Sequence, residues 1–204
     1  IRLSRILLNL LHQEKSLTID PEVIGLLALM LLHDSRSQAR VNTTGELIPL
    51  EEQDRTLWKQ TQIQEGITLL EKALQMRRAG PYQIQASISA LHAEATTPED
   101  TDWAQIAVLY GLLVQMTPSP VIELNRAVAI AMSEGYQQGL DRIDSLAPDL
   151  ETYYLFHAAR GDLLRRLGKW NESHEAYTRA LDLCDNNRER NFLMQRLHQI
   201  NSNR

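Results

Sequence analysis

Gly161-Asp162-Leu163-Leu164-Arg165-Arg166-Leu167-Gly168-Lys169-Trp170-Asn171-Glu172-Ser173-His174-Glu175-Ala176-Tyr177-Thr178-Arg179-Ala180 is the stretch whose reading decides the fold. Small, large, Gly, aromatic, small, aromatic, small recur at Gly161, Leu164, Gly168, Trp170, Ser173, Tyr177 and Ala180, as a tetratricopeptide repeat requires. Small residues let two antiparallel helices approach closely, large ones fill the gap beside them, and a glycine closes the turn. Thirty-four residues upstream lies a fainter copy, in which Ala127 maps onto Gly161, Ile130 onto Leu164, Gly139 onto Ser173 and Ile143 onto Tyr177. His157 and Arg160 depart from the pattern, standing where large apolar residues are usual. A single unit cannot bury its apolar face, so stacked units are expected over 120–150 and 152–185, closed by a capping helix at 188–201.

Outward from the repeat, apolar residues keep helical spacing. Trp103, Ile106, Ala107, Tyr110, Leu113 and Val114 form one stripe, and Ile63, Ile67, Leu70 and Leu74 another. Asp20-Pro21, Thr97-Pro98 and Ser119-Pro120 each set a capping residue before a proline. Gly80-Pro81 and Gly168 read as stops. The spacing predicts helices over 1–13, 21–33, 55–79, 82–94, 99–116, 120–134, 137–147, 152–167, 170–184 and 188–201. The expected fold is an all-α, tetratricopeptide-like helical-repeat solenoid, with a helical N-terminal part at 1–118 and the repeats at 119–204. One long irregular loop, 35–54, interrupts it, and loops of that length inside compact domains are often functional.

Composition narrows the function. The 204 residues carry a net charge of −5, with 21 basic against 26 acidic residues and no basic run, so direct nucleic acid contact by this segment is not expected. The lone Cys184 can make no intrachain disulfide, which favours a cytoplasmic chain, and no apolar run is long enough to span a bilayer. Ile1-Arg2-Leu3 reads like the inside of a helix, so a segment of a longer protein is expected.

No catalytic, metal or cofactor constellation stands out, and an enzyme is not expected. His33-Asp34 has the form of a metal phosphohydrolase doublet, but no partner set accompanies it. His92 and Glu94 point apart on a helix, and a cysteine in a repeat helix reads as a small apolar residue. The polar cluster flanking the loop is the better candidate. Arg36 and Arg40 open it, Glu51, Glu52, Gln53, Asp54 and Arg55 close it, and Trp58 follows. With His33 and Asp34 these residues are expected to bind protein, to anchor the loop, or both.

Several ordered blocks resemble a known family. They are Leu31-Leu32-His33-Asp34 with Arg36, Ala39-Arg40, Gly45-Glu46-Leu47, Leu50-Glu51 with Gln53-Asp54-Arg55, and Trp58. Gly80-Pro81-Tyr82-Gln83, Gln85-Ala86, His92-Ala93, Thr101-Asp102-Trp103, Pro118-Ser119-Pro120-Val121 and Leu124-Asn125-Arg126-Ala127-Val128-Ala129 follow. His157-Ala158 with Arg160, Leu163-Leu164 with Arg166-Leu167-Gly168, and Arg190 with Phe192-Leu193 complete the set. From Pro21 onward the chain resembles the C-terminal extension of bacterial extracytoplasmic-function sigma factors that carry a tetratricopeptide-like domain. The resemblance implies a regulatory module controlling transcription initiation. Its implied partners are sigma domains on the N-terminal side of this chain, RNA polymerase and a signalling protein. A free-standing tetratricopeptide adaptor is the alternative.

Overall fold

The computed structural model describes residues 1–6 and 20–202. The described chain is all-α, and its helices are α1 (Pro21–Ser35), α2 (Gln60–Gln75), α3 (Pro81–Glu94), α4 (Trp103–Met116), α5 (Pro120–Glu134), α6 (Tyr136–Ser145), the single turn α7 (Ala147–Leu150), α8 (Tyr154–Arg166), α9 (Trp170–Leu183) and α10 (Asn187–Asn201). Residues 2–6 are also helical, and the remainder of the helix expected over 1–13 lies outside the described residues. The extended pairing seen among the described residues is an isolated antiparallel bridge between Val41 and Leu47. No helix among them is long and apolar enough to cross a membrane. The chain divides into two compact units, one of 1–40, 49–102 and 115–117, the other of 41–48, 103–114 and 118–204.

In the first unit, α1 packs against both α2 and α3. Asp20 starts α1 by accepting from the Glu22 amide at 2.9 Å, ahead of Pro21 in the first turn. Leu27, Ala28, Leu31 and Leu32 are almost wholly buried, because α1 meets neighbours on more than one side and is apolar nearly all round. The partner helix α2 is amphipathic and buries Ile63, Leu70 and Ala73, while Leu74 of its expected stripe lies outward. Glu22 reaches across to cap α3. Its carboxylate accepts from the amides of Tyr82 (2.9 Å) and Gln83 (3.1 Å) and from Gln83 Nε2 (3.0 Å). A Cβ at Gly80 would fall on the Glu22 carboxylate and displace it from these amides.

Three expected boundaries move for identifiable reasons. The helix expected at 55–79 starts at Gln60, because Asp54 closes a 3-10 turn over Arg55–Leu57 and the Lys59 amide donates to Ser35 O. It ends at Gln75, where Arg77 (φ 54°) takes the left-handed position, leaving Gly80 as the N-cap of α3 and not as a stop. The helix expected from 99 begins at Trp103, since Thr97 and Asp100 close a 3-10 turn over Pro98–Asp100. The capping role expected of Ser119 is not seen, as its side chain makes no cap hydrogen bond.

The second unit contains the repeats. α5 packs on α6, α6 on α8, α8 on α9 and α9 on α10. Every pair of the 34-residue correspondence is buried in both copies. Gly161 accepts the face of Tyr177, whose Cδ2 would stand 2.8 Å from an added Cβ, and Ser173 Oγ donates to Gly161 O at 2.7 Å. Gly168, at φ +73°, closes the turn between α8 and α9. His157 fills its apolar position by burying its ring and placing Nε2 2.7 Å from Glu151 O. α6 stops at Ser145, before Ala147-Pro148. The final helix is capped by Asn186 and buries Leu193 and Ile200, with Phe192 and Leu197 half covered beside them.

Candidate protein-binding site

The long connection between α1 and α2 is ordered because its ends are tied. Lys59 N donates to Ser35 O at 3.0 Å, and Ser35 itself is buried with its hydroxyl on Leu32 O. Two further 3-10 turns, Ser37–Ala39 and Leu50–Glu52, shorten the path. Residues 41–48, which belong to the second unit, form a small hairpin. Asn42 Oδ1 accepts from Thr44 N, Thr44 Oγ1 and Glu46 N, and Gly45 turns the chain at φ +83°. In that unit Gln195 Nε2 donates to Glu46 Oε1 at 2.6 Å.

Trp58 is the centre of the part that lies in the first unit. It is 3% exposed, packed with Ala28, Leu32, Ala39 and Ile63. Two guanidinium groups face its ring, Arg55 at 4.7 Å and Arg36 at 5.9 Å from the centroid. Arg55 also closes the end of α3, its Nη1 donating to His92 O (2.7 Å) and Ala95 O (2.6 Å). Those carbonyls are the negative end of the helix, so the arginine serves as a cationic C-cap delivered from about 40 residues upstream. Arg40 is exposed and donates to His33 O at 2.8 Å, covering the last turn of α1 in the same manner.

The sequence-predicted residues therefore divide. Arg36, Arg55 and Trp58 come together around one ring. Asp34 turns to α2, accepting from Gln62 Nε2 (2.9 Å) and Lys59 Nζ (3.2 Å), which together hold its carboxyl below the usual range. Asp54 serves as a local cap, accepting from Thr56 N and Oγ1. Gln53 is half-buried, donating its amide to Leu50 O, and Glu51 and Glu52 are exposed. His33 is an exposed residue of the last turn of α1, its ring partly covered. Among the described residues no group of three or more His, Cys, Asp or Glu side chains stands as a metal ion would need.

Cations dominate the electrostatics of this cluster, with Glu99 and Asp100 acting on Arg55. Burial, then Arg40 and Arg55, push the Arg36 guanidinium down to about 10. Burial, then Arg36 and Arg55, push His92 down to about 4, so its ring is neutral at pH 7. Loss of water around its ring, then Arg36 and Arg40, lower His33 as well. His92, Lys59 and Gln62 were not among the residues the sequence singled out for the site. His92-Ala93 appears among the family-like blocks, which was the one available signal; nothing local in the sequence marks Lys59 or Gln62 as partners of Asp34.

With this geometry in hand, the class of protein is an all-α chain with tetratricopeptide repeats. Residues 154–187 match the tetratricopeptide repeat, and residues 2–74 match a family described as "Family of unknown function (DUF6596)". An uncharacterized protein of Rhizobium meliloti (strain 1021) is 44% identical over 200 residues, an alignment covering 98% of this chain and 46% of that protein. The chain thus spans about half the length of the curated relative it matches. No solved structure matches it.

Proposed function

We propose that this chain is the regulatory, protein-binding part of a bacterial extracytoplasmic-function sigma factor. In this reading it acts on transcription initiation through the sigma domains, RNA polymerase or a signalling partner, and catalyses nothing itself. The observation that carries the proposal is the cluster at Trp58. Residues from three separate family-like blocks, Arg36, Arg55 with Trp58, and His92, meet in one rigid patch. Arginine is among the residues enriched at binding hot spots, and here the half-buried Arg36 and the exposed Arg40 lie beside the Trp58 core. The tetratricopeptide match at 154–187 supports a protein-binding role, and the acidic balance suits contact with basic promoter-binding domains.

The test is promoter-dependent transcription by the full-length polypeptide with core RNA polymerase, comparing wild type with Arg36→Ala and Arg40→Ala. The expected result is altered output at unchanged thermal stability. Equal output from equally stable variants removes the patch from regulation. The repeat match also favours a tetratricopeptide adaptor, and a full-length polypeptide that captures peptides but directs no promoter-dependent transcription would be that.

A further inference from the structure

The side chains around Trp58 include buried donors that no acceptor receives. Trp58 is 97% removed from solvent, yet its indole Nε1 meets no acceptor. Arg55 Nε is likewise buried without an acceptor, although its Nη1 is occupied by two carbonyls of the α3 terminus. Buried donors in folded proteins are nearly always bonded, so two of them three residues apart around one ring call for an acceptor. The third member is Arg36, on the same ring at 5.9 Å. The charges that act on it are Arg40 and Arg55, both cations, and of these Arg55 is offset in part by Glu99 and Asp100. Cations held together in a half-buried place repel one another unless an anion joins them.

One oxyanion answers all three demands, because its oxygens accept from the N–H groups and its charge offsets the arginines. We propose that Arg36, Arg55 and Trp58 form a binding site for a single carboxylate or phosphate group, with Arg40 at its rim. A water molecule could satisfy the two donors but would bring no negative charge to Arg36. Guanidinium forks match the planar face of a carboxylate or the edge of a phosphate, whereas a lysine would present a point charge. The site is one group wide. No basic row continues from it and the chain's net charge is −5, so it does not fit a nucleic acid backbone. This inference goes beyond the regulatory reading and stands without it, since the site binds an ion or fails to whatever the chain controls.

The experiment follows the Trp58 indole N–H signal of the 15N-labelled 204-residue chain, identified by its loss in Trp58→Phe. Inorganic phosphate and sodium acetate are added in separate titrations, with sodium chloride at matched ionic strength as control. The expected result is a saturable shift with at least one oxyanion and none with chloride. Arg36→Ala weakens that binding about ten- to a hundred-fold, as loss of a charge-assisted contact does, and Arg40→Ala weakens it less. Saturation by phosphate alone assigns a phosphate group as ligand. Saturation by acetate assigns a carboxylate, free or on a partner's acidic side chain, and a Glu-containing peptide binding more tightly than acetate selects the latter. No saturation with either ion overturns the proposal, as does a shift that a folded Arg36→Ala chain retains. Should Arg36→Ala fail to fold, the wild-type titration still decides.

Discussion

Acidification from pH 7 to pH 4 should destabilise the first unit through His92, and the size of the effect follows from where its ring lies. Burial is the main reason that its pKa falls to about 4, with Arg36 and Arg55 adding to it, against an ordinary value of 6.5. Between those two values the unfolded chain holds a proton that the folded chain does not. Stability therefore rises with pH across this window and is lost as pH falls through it. The difference of some 2.5 units corresponds to about 3 kcal/mol at pH 4, at roughly 1.36 kcal/mol per unit. That is a large part of the roughly 5–15 kcal/mol that holds a typical domain together. His33 shifts in the same direction and adds the same sign. The lowered carboxylates, such as Asp34, Asp162 and Glu46, begin to act as pH approaches their ordinary values of 3.8 and 4.5, so the upper part of the window, from about 6.5 to about 5.5, isolates the histidines. Urea unfolding of wild type and His92→Gln at pH 7, 6, 5 and 4 measures it. The variant keeps the main-chain carbonyl that Arg55 uses, and its pH slope should be much flatter. A wild-type slope that His92→Gln leaves untouched, or an NMR titration placing His92 near 6.5, would refute the reasoning.

Other expectations concern the contacts that position the helices. Arg55→Met keeps the aliphatic stem but leaves His92 O and Ala95 O without their donor, and should cost about 2 kcal/mol by chemical denaturation. The same change should raise the His92 pKa, since Arg55 is one of the charges lowering it. Gly80→Ala should displace Glu22 from the α3 amides and cost about 1–3 kcal/mol, while Glu22→Gln, which keeps an acceptor, should cost less; thermal melts of both report the difference. Gly161→Ala presses a methyl onto the Tyr177 ring, a cost of about 1–3 kcal/mol that helix propensity offsets by at most about 1. Urea unfolding should show it less stable than wild type, and equal stability would mean that α8 and α9 separate freely.

The repeat was legible because its special residues are local in kind. Gly161, Ser173 and Tyr177 are each specified by a partner 12 to 16 positions away on the same hairpin, a distance that a periodic pattern captures. Helix existence was legible for the same reason. Boundaries at 55–60 and 97–103 were not, because Asp54 and Asp100 hydrogen-bond their own turn and hold the backbone out of the α-helix. The cap that Glu22 gives to α3 and the cap that Arg55 gives to it from the other end join residues about 40 to 60 positions apart. Nothing periodic links such pairs. Arg36, Arg55 and Trp58 could be named from composition at the loop edges, but their meeting on one ring could not.

A tetratricopeptide chain invites a search for binding at its repeats, and the physics of this one adds a second place to look. At the repeat positions each unusual residue is used up by the hairpin itself. Gly161 makes room for a ring, Ser173 closes a hydrogen bond onto it, and His157 spends a nitrogen on Glu151 O. The loop between α1 and α2 is the reverse case. Ordering a connection of that length costs about 1–2 kcal/mol of backbone entropy per residue, so it must be held by strong contacts. It is held, by Ser35, Arg40, Arg55 and Lys59, yet after those contacts are made its centre still has buried donors left over. Residual polar capacity in a place that folding has made rigid is what a binding site offers and what a mere linker lacks. The first unit, and the patch around Trp58 in particular, is therefore where a loss-of-function search in this chain should begin.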